Sequence, residues 1–243
     1  MEDVVASDAT TIAAQLDDTL RSLGNPERAA GERAYLKSSL VHYGTPLPAI
    51  RAALNAATRR TVLARPALLR LAEELWIGGV HERRVAAVEL LARHAALLEP
   101  ADLGLLEQLL RDCRTWALVD PLATRVAGPL VAREPALGTV LDRWARDDDF
   151  WIRRSALLAL LVPLRQGAGE FERFARYADA MLAEREFFIR KAIGWVLRDT
   201  GRRRPDLVFE WLLPRAALAS AVTIREAIKP LAPAQREAIL ARR

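Results

Sequence analysis

Four stretches of this chain open alike and then recur at a nearly fixed distance. Glu82-Arg83-Arg84-Val85-Ala86-Ala87-Val88, Ile152-Arg153-Arg154-Ser155-Ala156-Leu157-Leu158, Ile189-Arg190-Lys191-Ala192-Ile193-Gly194-Trp195 and Ile224-Arg225-Glu226-Ala227-Ile228 each set a basic start ahead of small and apolar residues. With Arg84, Asp120, Arg154, Lys191 and Glu226 taken as equivalent, the steps between them are 36, 34, 37 and 35 residues. A period of this length fits one pair of helices per repeat, and a unit that small buries its apolar face only by stacking on its neighbours. In such a stack equivalent positions line one face, so the charged row becomes a stripe on the inner surface. The competing explanation is that amphipathic helices in any chain rich in Ala, Leu and Arg imitate a period.

The local pattern is helical throughout. Leu69, Leu71, Leu75 and Trp76, or Val85, Val88, Leu91 and His94, recur at helical spacing, and no stretch alternates at the strand period. Gly24-Asn25-Pro26, Gly44-Thr45-Pro46, Gly78-Gly79, Glu99-Pro100, Glu134-Pro135, Gln166–Gly169, Gly201 and Arg204-Pro205 punctuate the chain into segments of about three to four turns. The fold expected is all-α, a HEAT-like, ARM-type helical-repeat solenoid with a basic concave face. It forms one domain over residues 1–243 with about six helix pairs, residues 1–24 supplying an N-terminal helix.

Composition narrows the function only in part. Lys and Arg number 36 against 31 Asp and Glu, a formal net charge of +5, and only Lys37, Lys191 and Lys229 are lysines. Guanidinium forks match phosphate oxygens, which makes an acidic polymer a fitting partner, but a GC-rich genome loads proteins with Ala and Arg as well. Cys113 is the single cysteine, so an internal disulfide and a thiolate zinc site are excluded and a reducing cytoplasm is expected. Residues Met1–Thr10 have no basic stretch before an apolar core, and the apolar run at Ala156–Leu164 is too short to span a bilayer, so no membrane association is expected. His42, His81 and His94 have no carboxylate or cysteine at metal-ligand spacing, so no metal site is expected. No Gly-rich phosphate loop, Ser/His/Asp arrangement or Cys-x-x-Cys pair is present, and no cofactor is expected.

Chemistry-bearing residues fall in successive repeats. Trp116 and Asp120 stand four apart, on one face of a helix. Phe150-Trp151-Ile152-Arg153-Arg154 follows, and then the segment Phe187–Arg198, reading Phe-Phe-Ile-Arg-Lys-Ala-Ile-Gly-Trp-Val-Leu-Arg. In this order and at these separations the chain resembles the AlkD family of alkylpurine DNA glycosylases. Asn25-Pro26-Glu27, Tyr35-Leu36-Lys37 and Arg225-Glu226-Ala227-Ile228-Lys229 extend the resemblance over about Asn25 to Lys229. It departs from the family at Val41-His42-Tyr43-Gly44, in a longer loop around Gln166–Glu170, and at Thr115, where a second tryptophan can occur.

The resemblance implies that Trp116 and Trp195 pack against the deoxyribose of a damaged nucleotide with Asp120 between them facing the sugar. It implies that Arg154 holds a backbone phosphate and that Tyr35 sits at the edge of the lesion. Lys37, Arg51, Arg190, Lys191, Arg225 and Lys229 complete the expected DNA-binding set. The implied chemistry is sound on its own terms. A purine alkylated at N3 or N7 is cationic and leaves without a general acid, unlike an ordinary glycoside. The remaining task is to stabilise the positive charge on the sugar, which a carboxylate does electrostatically while orienting or deprotonating water. Tryptophan faces add cation–π attraction.

Plainer readings accompany each residue. Tryptophans are mostly buried, so Trp116 and Trp195 also fit a core, and Trp144, Trp151 and Trp211 are assigned to packing. Asp120 precedes Pro121 and fits either the N-cap of a helix starting there or a position inside one helix shared with Trp116. Arg154, Arg190, Lys191 and Arg225 also fit ion pairs with Asp147, Asp148, Glu186 or Glu226. The function expected is that of a monofunctional, cofactor-free, monomeric DNA glycosylase acting on cationic alkylpurines in duplex DNA without flipping the base. The alternatives are a non-catalytic repeat protein for distorted or branched DNA, and a protein-binding solenoid.

Overall fold

The structure, a computed structural model, describes residues 2–59, 61 and 63–243, with side chains from Asp8 onward. Met1, Arg60 and Val62, which the expected domain includes, lie outside the described residues. The chain runs through α1 (Glu2–Ser22), α2 (Pro26–Leu36), α3 (Leu47–Thr58), α4 (Arg65–Trp76), α5 (His81–Arg93), α6 (Leu103–Cys113) and α7 (Trp116–Leu122). A π-helical turn at Ala123–Ala127 leads to α8 (Gly128–Arg133), α9 (Gly138–Trp144), α10 (Phe150–Ala159), α11 (Leu161–Arg165) and α12 (Phe171–Met181). There follow α13 (Phe187–Gly201), α14 (Pro205–Leu212), α15 (Ala221–Ala227) and α16 (Pro233–Leu240). The only strand-like feature among the described residues is an isolated bridge between Val41 and Val80. Among them, no helix is long and apolar enough to cross a membrane.

These elements form two compact units. The first comprises residues up to Asp102 together with Cys113–Leu122, and the second comprises Leu103–Asp112 with Ala123–Arg243. In the first, α1 packs on α3 and α4, α4 packs on α5, and α7 packs on α5. Leu16, Leu20, Leu54, Leu68, Leu71, Leu75, Leu90 and Leu91 are buried there, at the helical spacing seen in the sequence. In the second, α13 is central and packs on α10, α11, α14 and α15 through Ile189, Ile193, Val196 and Leu197. Each such side chain contributes about 1.5–3 kcal/mol.

Helix starts explain the acidic residues that precede the aromatic–basic segments. Asp149 caps α10 by accepting from the Trp151 N–H at 2.9 Å, and Glu186 caps α13 by accepting from Phe188 N–H at 3.1 Å. Asn25 and Ser220 do the same for α2 and α15. A cap of this kind satisfies a backbone donor that the helix itself leaves open.

Inside α13, Gly194 lets α15 approach. A Cβ there would lie 2.9 Å from Glu226 Cβ and 3.0 Å from the Thr223 carbonyl oxygen. Gly-to-Ala in a helix interior ordinarily stabilises by about 0.5–1 kcal/mol. Here overpacking wins, so Gly194→Ala is expected to lower stability by about 1–3 kcal/mol in urea unfolding. A gain in stability would show that α13 and α15 do not pack this closely.

Arginine forks link positions about one repeat apart. Arg51 reaches Glu89 at 2.9 and 3.1 Å, and Arg65 reaches Asp102 at 2.9 and 2.6 Å, both in the first unit. In the second, Arg111 holds Asp147 at 3.0 and 2.6 Å, Arg143 holds Glu107 at 3.0 and 2.5 Å, and Arg153 holds Glu184 at 3.1 and 2.9 Å. Arg165 pairs with Asp199 at 2.6 Å, and Arg215 with Asp179 at 2.5 and 2.9 Å. Lys191 pairs with Glu226 at 3.3 Å.

Two of these carboxylates are strongly acidic. The Arg143 fork, aided by Trp144 and Arg111 against burial, holds Glu107 at about 2. Burial pushes Glu226 up, but hydrogen bonds from Lys229 and Lys191 and the Arg198 charge outweigh it and hold this carboxyl at about 2 as well. Both lie below the ordinary glutamate value of 4.5, so over that interval the unfolded chain binds more protons than the folded one. Stability from both groups is therefore complete above about pH 5 and lost as pH falls toward 2. Thermal unfolding across this window should show that loss, and Glu107→Gln together with Glu226→Gln should flatten the slope. An unchanged slope in the double variant would remove this assignment.

Candidate functional site

In the first unit the site is built on α7. Arg114, in the left-handed region at φ 48°, turns the chain out of α6, and the Thr115 carbonyl accepts from Leu118 and Val119 N–H at 3.2 and 3.1 Å to start α7. Trp116 is the first residue of α7 and half-buried, and Asp120, one turn on, is buried. Pro121 lies inside α7, so Asp120 shares a helix with Trp116 and is not the cap of a helix starting at Pro121. An interior proline removes one backbone donor and crowds the preceding turn, at a cost of about 3 kcal/mol in an isolated helix. The wide π turn at Ala123–Ala127 follows directly. Leu118, Val119 and Leu122, all fully buried, anchor α7 and offset that cost.

Tyr35, near the end of α2, is 75% exposed and meets Trp116 edge-to-face, ring centres 6.0 Å apart and planes at 90°. Lys37 closes α2 in the left-handed region at φ 49°, its N–H on the Ala34 carbonyl at 3.2 Å, with an exposed side chain. Tyr35, Trp116 and Asp120 are thus grouped in one unit. Arg51 stands on α3 with its fork on Glu89.

In the second unit Trp195 is half-buried on α13, and its indole N–H donates to Asp199 at 3.2 Å. Asp199 is buried and also receives Arg165 and Arg198. Arg154 is only 2% exposed; it donates to the Phe188 carbonyl and its guanidinium lies 5.8 Å from the Phe188 ring centre. Around it Phe150, Trp151 and Phe188 form an aromatic cluster, with Trp151 and Phe188 rings 4.8 Å apart. Arg190 donates to the Glu184 carbonyl at 2.7 Å. Lys191, Arg198 and Lys229 converge on Glu226, while Arg225 is exposed. The row of charges at equivalent repeat positions is therefore largely tied into the fold. Glu89 and Glu226 are buried, so Arg51, Lys191 and Lys229 each answer a carboxylate that would otherwise be left as an uncompensated buried charge.

Two groups escape a reading by spacing. Asp199 repeats the Trp-x-x-x-Asp pattern of Trp116 and Asp120, a signal present in the sequence but not used. His42 and His81 stack at 4.4 Å, and Glu32 and Glu82 join His42, although 10 and 40 residues separate them along the chain. Burial pushes both imidazoles down, that of His81 to about 4. Trp144, Trp151 and Trp211 are buried.

The family model described as DNA alkylation repair enzyme matches residues 16–231. The chain belongs to the DNA alkylation repair enzyme family. No curated protein matches it. Among solved structures it is similar to a predicted DNA alkylation repair enzyme from Enterococcus faecalis, with 24% identity and a TM-score of 0.77 over 86% of this chain and 97% of that one. It is also similar to AlkD2 from Streptococcus mutans, with 19% identity and a TM-score of 0.57 over 73% of this chain and 87% of that one. At these identities the likeness is one of fold, and the fold is the helical-repeat fold of AlkD-type proteins.

Arg154 offers a direct measurement. Arg154→Met keeps the stem and removes a charge-assisted hydrogen bond from a buried side chain to the Phe188 carbonyl, and is expected to cost about 1.5–3 kcal/mol in thermal or urea unfolding. Unchanged stability with weaker DNA binding would mean that the guanidinium serves phosphate and not the fold.

Proposed function

We propose that this family member is a monofunctional DNA glycosylase that hydrolyses the N-glycosidic bond of N3- or N7-alkylated purines in duplex DNA. It acts as a monomer, without a cofactor, and with the damaged nucleotide kept in the duplex. The observation that carries the reading is the grouping of Tyr35, Trp116 and Asp120: an exposed tyrosine against a half-buried indole, and a buried carboxylate one helical turn on. The family supplies alkylated DNA as the substrate class.

The purine already carries the positive charge that makes it leave. As the C1′–N bond breaks, the electron pair departs with the base, which becomes neutral, and positive charge passes to the sugar. Asp120 opposes that charge at low dielectric, where a carboxylate acts more strongly than in water. A water then attacks C1′ and gives up its proton to the same carboxylate. The faces of Trp116 and Trp195 lie against the deoxyribose and add attraction to the cationic sugar. Tyr35 borders the lesion, and Lys37, Arg51, Arg190, Lys191, Arg225 and Lys229 meet the phosphates; the buried Arg154 reaches one only by giving up the Phe188 carbonyl.

The test is release of free base from a duplex bearing a single 7-methylguanine. The protein is expected to release it, and Asp120→Asn is expected to slow release by about 10²–10³. No release above background, or release unaffected by Asp120→Asn, removes the reading. Strongly salt-dependent binding without release would mark a DNA-binding module instead.

A further inference from the structure

The segment that departs from the family pattern, Val41-His42-Tyr43-Gly44, is fastened at both ends. Val41 N–H donates to the Gly79 carbonyl at 2.9 Å, and His81 N–H donates to the Val41 carbonyl at 2.8 Å. Just beyond, Tyr43 N–H reaches both Glu82 carboxylate oxygens at 3.0 Å, and Gly44 N–H reaches Oε1 at 2.6 Å. His42 is pinned between these anchors and lies flat on His81, with 12° between the ring planes. Glu82 is fully buried and His81 is 7% exposed. Both ring nitrogens of His42 and Nδ1 of His81 are buried without a hydrogen-bond partner.

That is a costly arrangement for a polar ring. A buried donor or acceptor left unpaired is destabilising, and native proteins seldom leave two on one side chain. Glu32, from the exposed side of α2, completes the surroundings: one donor atom each from Glu32, His42 and Glu82 lie within 4.8 Å of one another.

We infer that Glu32, His42 and Glu82 bind a divalent first-row transition cation of the Zn²⁺ type. One imidazole nitrogen with two carboxylate oxygens is a borderline donor set that suits Zn²⁺, whereas Ca²⁺ and Mg²⁺ take oxygen alone. Zinc holds such ligands at about 2.0–2.2 Å, which puts tetrahedral donors about 3.3–3.5 Å apart, so the donor atoms close by at most about 1.5 Å. Glu32 supplies that movement. It is half-buried and its partner Arg28 is exposed, so the Arg28–Glu32 pair is of the screened kind that holds a side chain only weakly. Glu82 stays still, because the Tyr43 and Gly44 N–H groups orient its carboxylate as outer-shell donors orient ligands in metal sites. Entry is from a cavity of about 510 Å³ lined by His42, Tyr43, Ala29, Ala30, Arg21 and Arg33. The cation would lock α2 to the start of α5, a structural role separate from the glycosylase reading.

The experiment uses the full chain, stripped with a chelator and titrated with Zn²⁺ by calorimetry and with Co²⁺ by visible spectroscopy. One Zn²⁺ per chain is expected, with Co²⁺ giving d–d bands and no thiolate charge-transfer band. His42→Phe preserves the ring stack on His81, and Glu32→Gln preserves the shape of the second ligand. Each should retain its helical circular dichroism yet bind at least about tenfold more weakly. Absence of bound Zn²⁺, undiminished binding in both variants, or a thiolate band that disappears in Cys113→Ser would overturn the inference.

Discussion

A guanidinium on one helix pair and a carboxylate about one repeat along the chain form the contact that sets the geometry here. Arg51 with Glu89, Arg65 with Asp102, Arg111 with Asp147 and Arg215 with Asp179 repeat it at separations of 36 to 38 residues. The guanidinium of each pair is partly exposed, so screening keeps its contribution modest beside the leucine core, in which each buried side chain adds about 1.5–3 kcal/mol. Their effect is on register. An apolar helix face slides or rotates at small cost, but a fork that fits its carboxylate at two oxygens fits in one position only. The leucine core supplies the stability, and the ladder fixes which turn of one helix faces which turn of the next.

On that frame, α7 shows how a local defect aims a side chain. Pro121 removes a backbone bond in the second turn, and the π turn that follows takes one more residue per turn than an α-helix. Three fully buried apolar residues pin α7 on α5, so the irregularity is held in place and not relieved by fraying. Asp120 sits immediately before the defect, in the same helix as Trp116. π turns recur at functional sites because they displace a side chain without ending the helix.

The helical repeats were legible because period and punctuation are properties of the chain itself. Arg154 and Lys191 each stand fifth in their helices, α10 and α13, and Trp144 and Trp211 are packed inside. What spacing could not show is which partner each charge takes. Arg154 reads as a surface cation and is buried against Phe188; Glu186 reads as a counter-ion and is a helix cap. Both outcomes depend on where the neighbouring helix lies. The ambiguity at Asp120 had the same origin, since Asp-Pro starts one helix or interrupts another according to what the preceding Trp116 packs on. Glu32, His42 and Glu82 were out of reach for a further reason. A loop tied by backbone bonds brings them together, and backbone bonds leave no trace in residue type.

The two Trp-x-x-x-Asp pairs bear on where chemistry belongs. In the second, the Asp199 carboxylate receives the Trp195 indole N–H and the side chains of Arg165 and Arg198. A carboxylate between two guanidinium groups has most of its charge answered, and it has little left with which to oppose a cation on a sugar. Its service is mechanical: the bond at 3.2 Å fixes the plane of the indole, so one face of Trp195 is held ready while its N–H is occupied. Asp199 is accordingly a positioning residue for Trp195. The same motif thus supplies an oriented ring in one unit and, in the other, a ring with a carboxylate beside it.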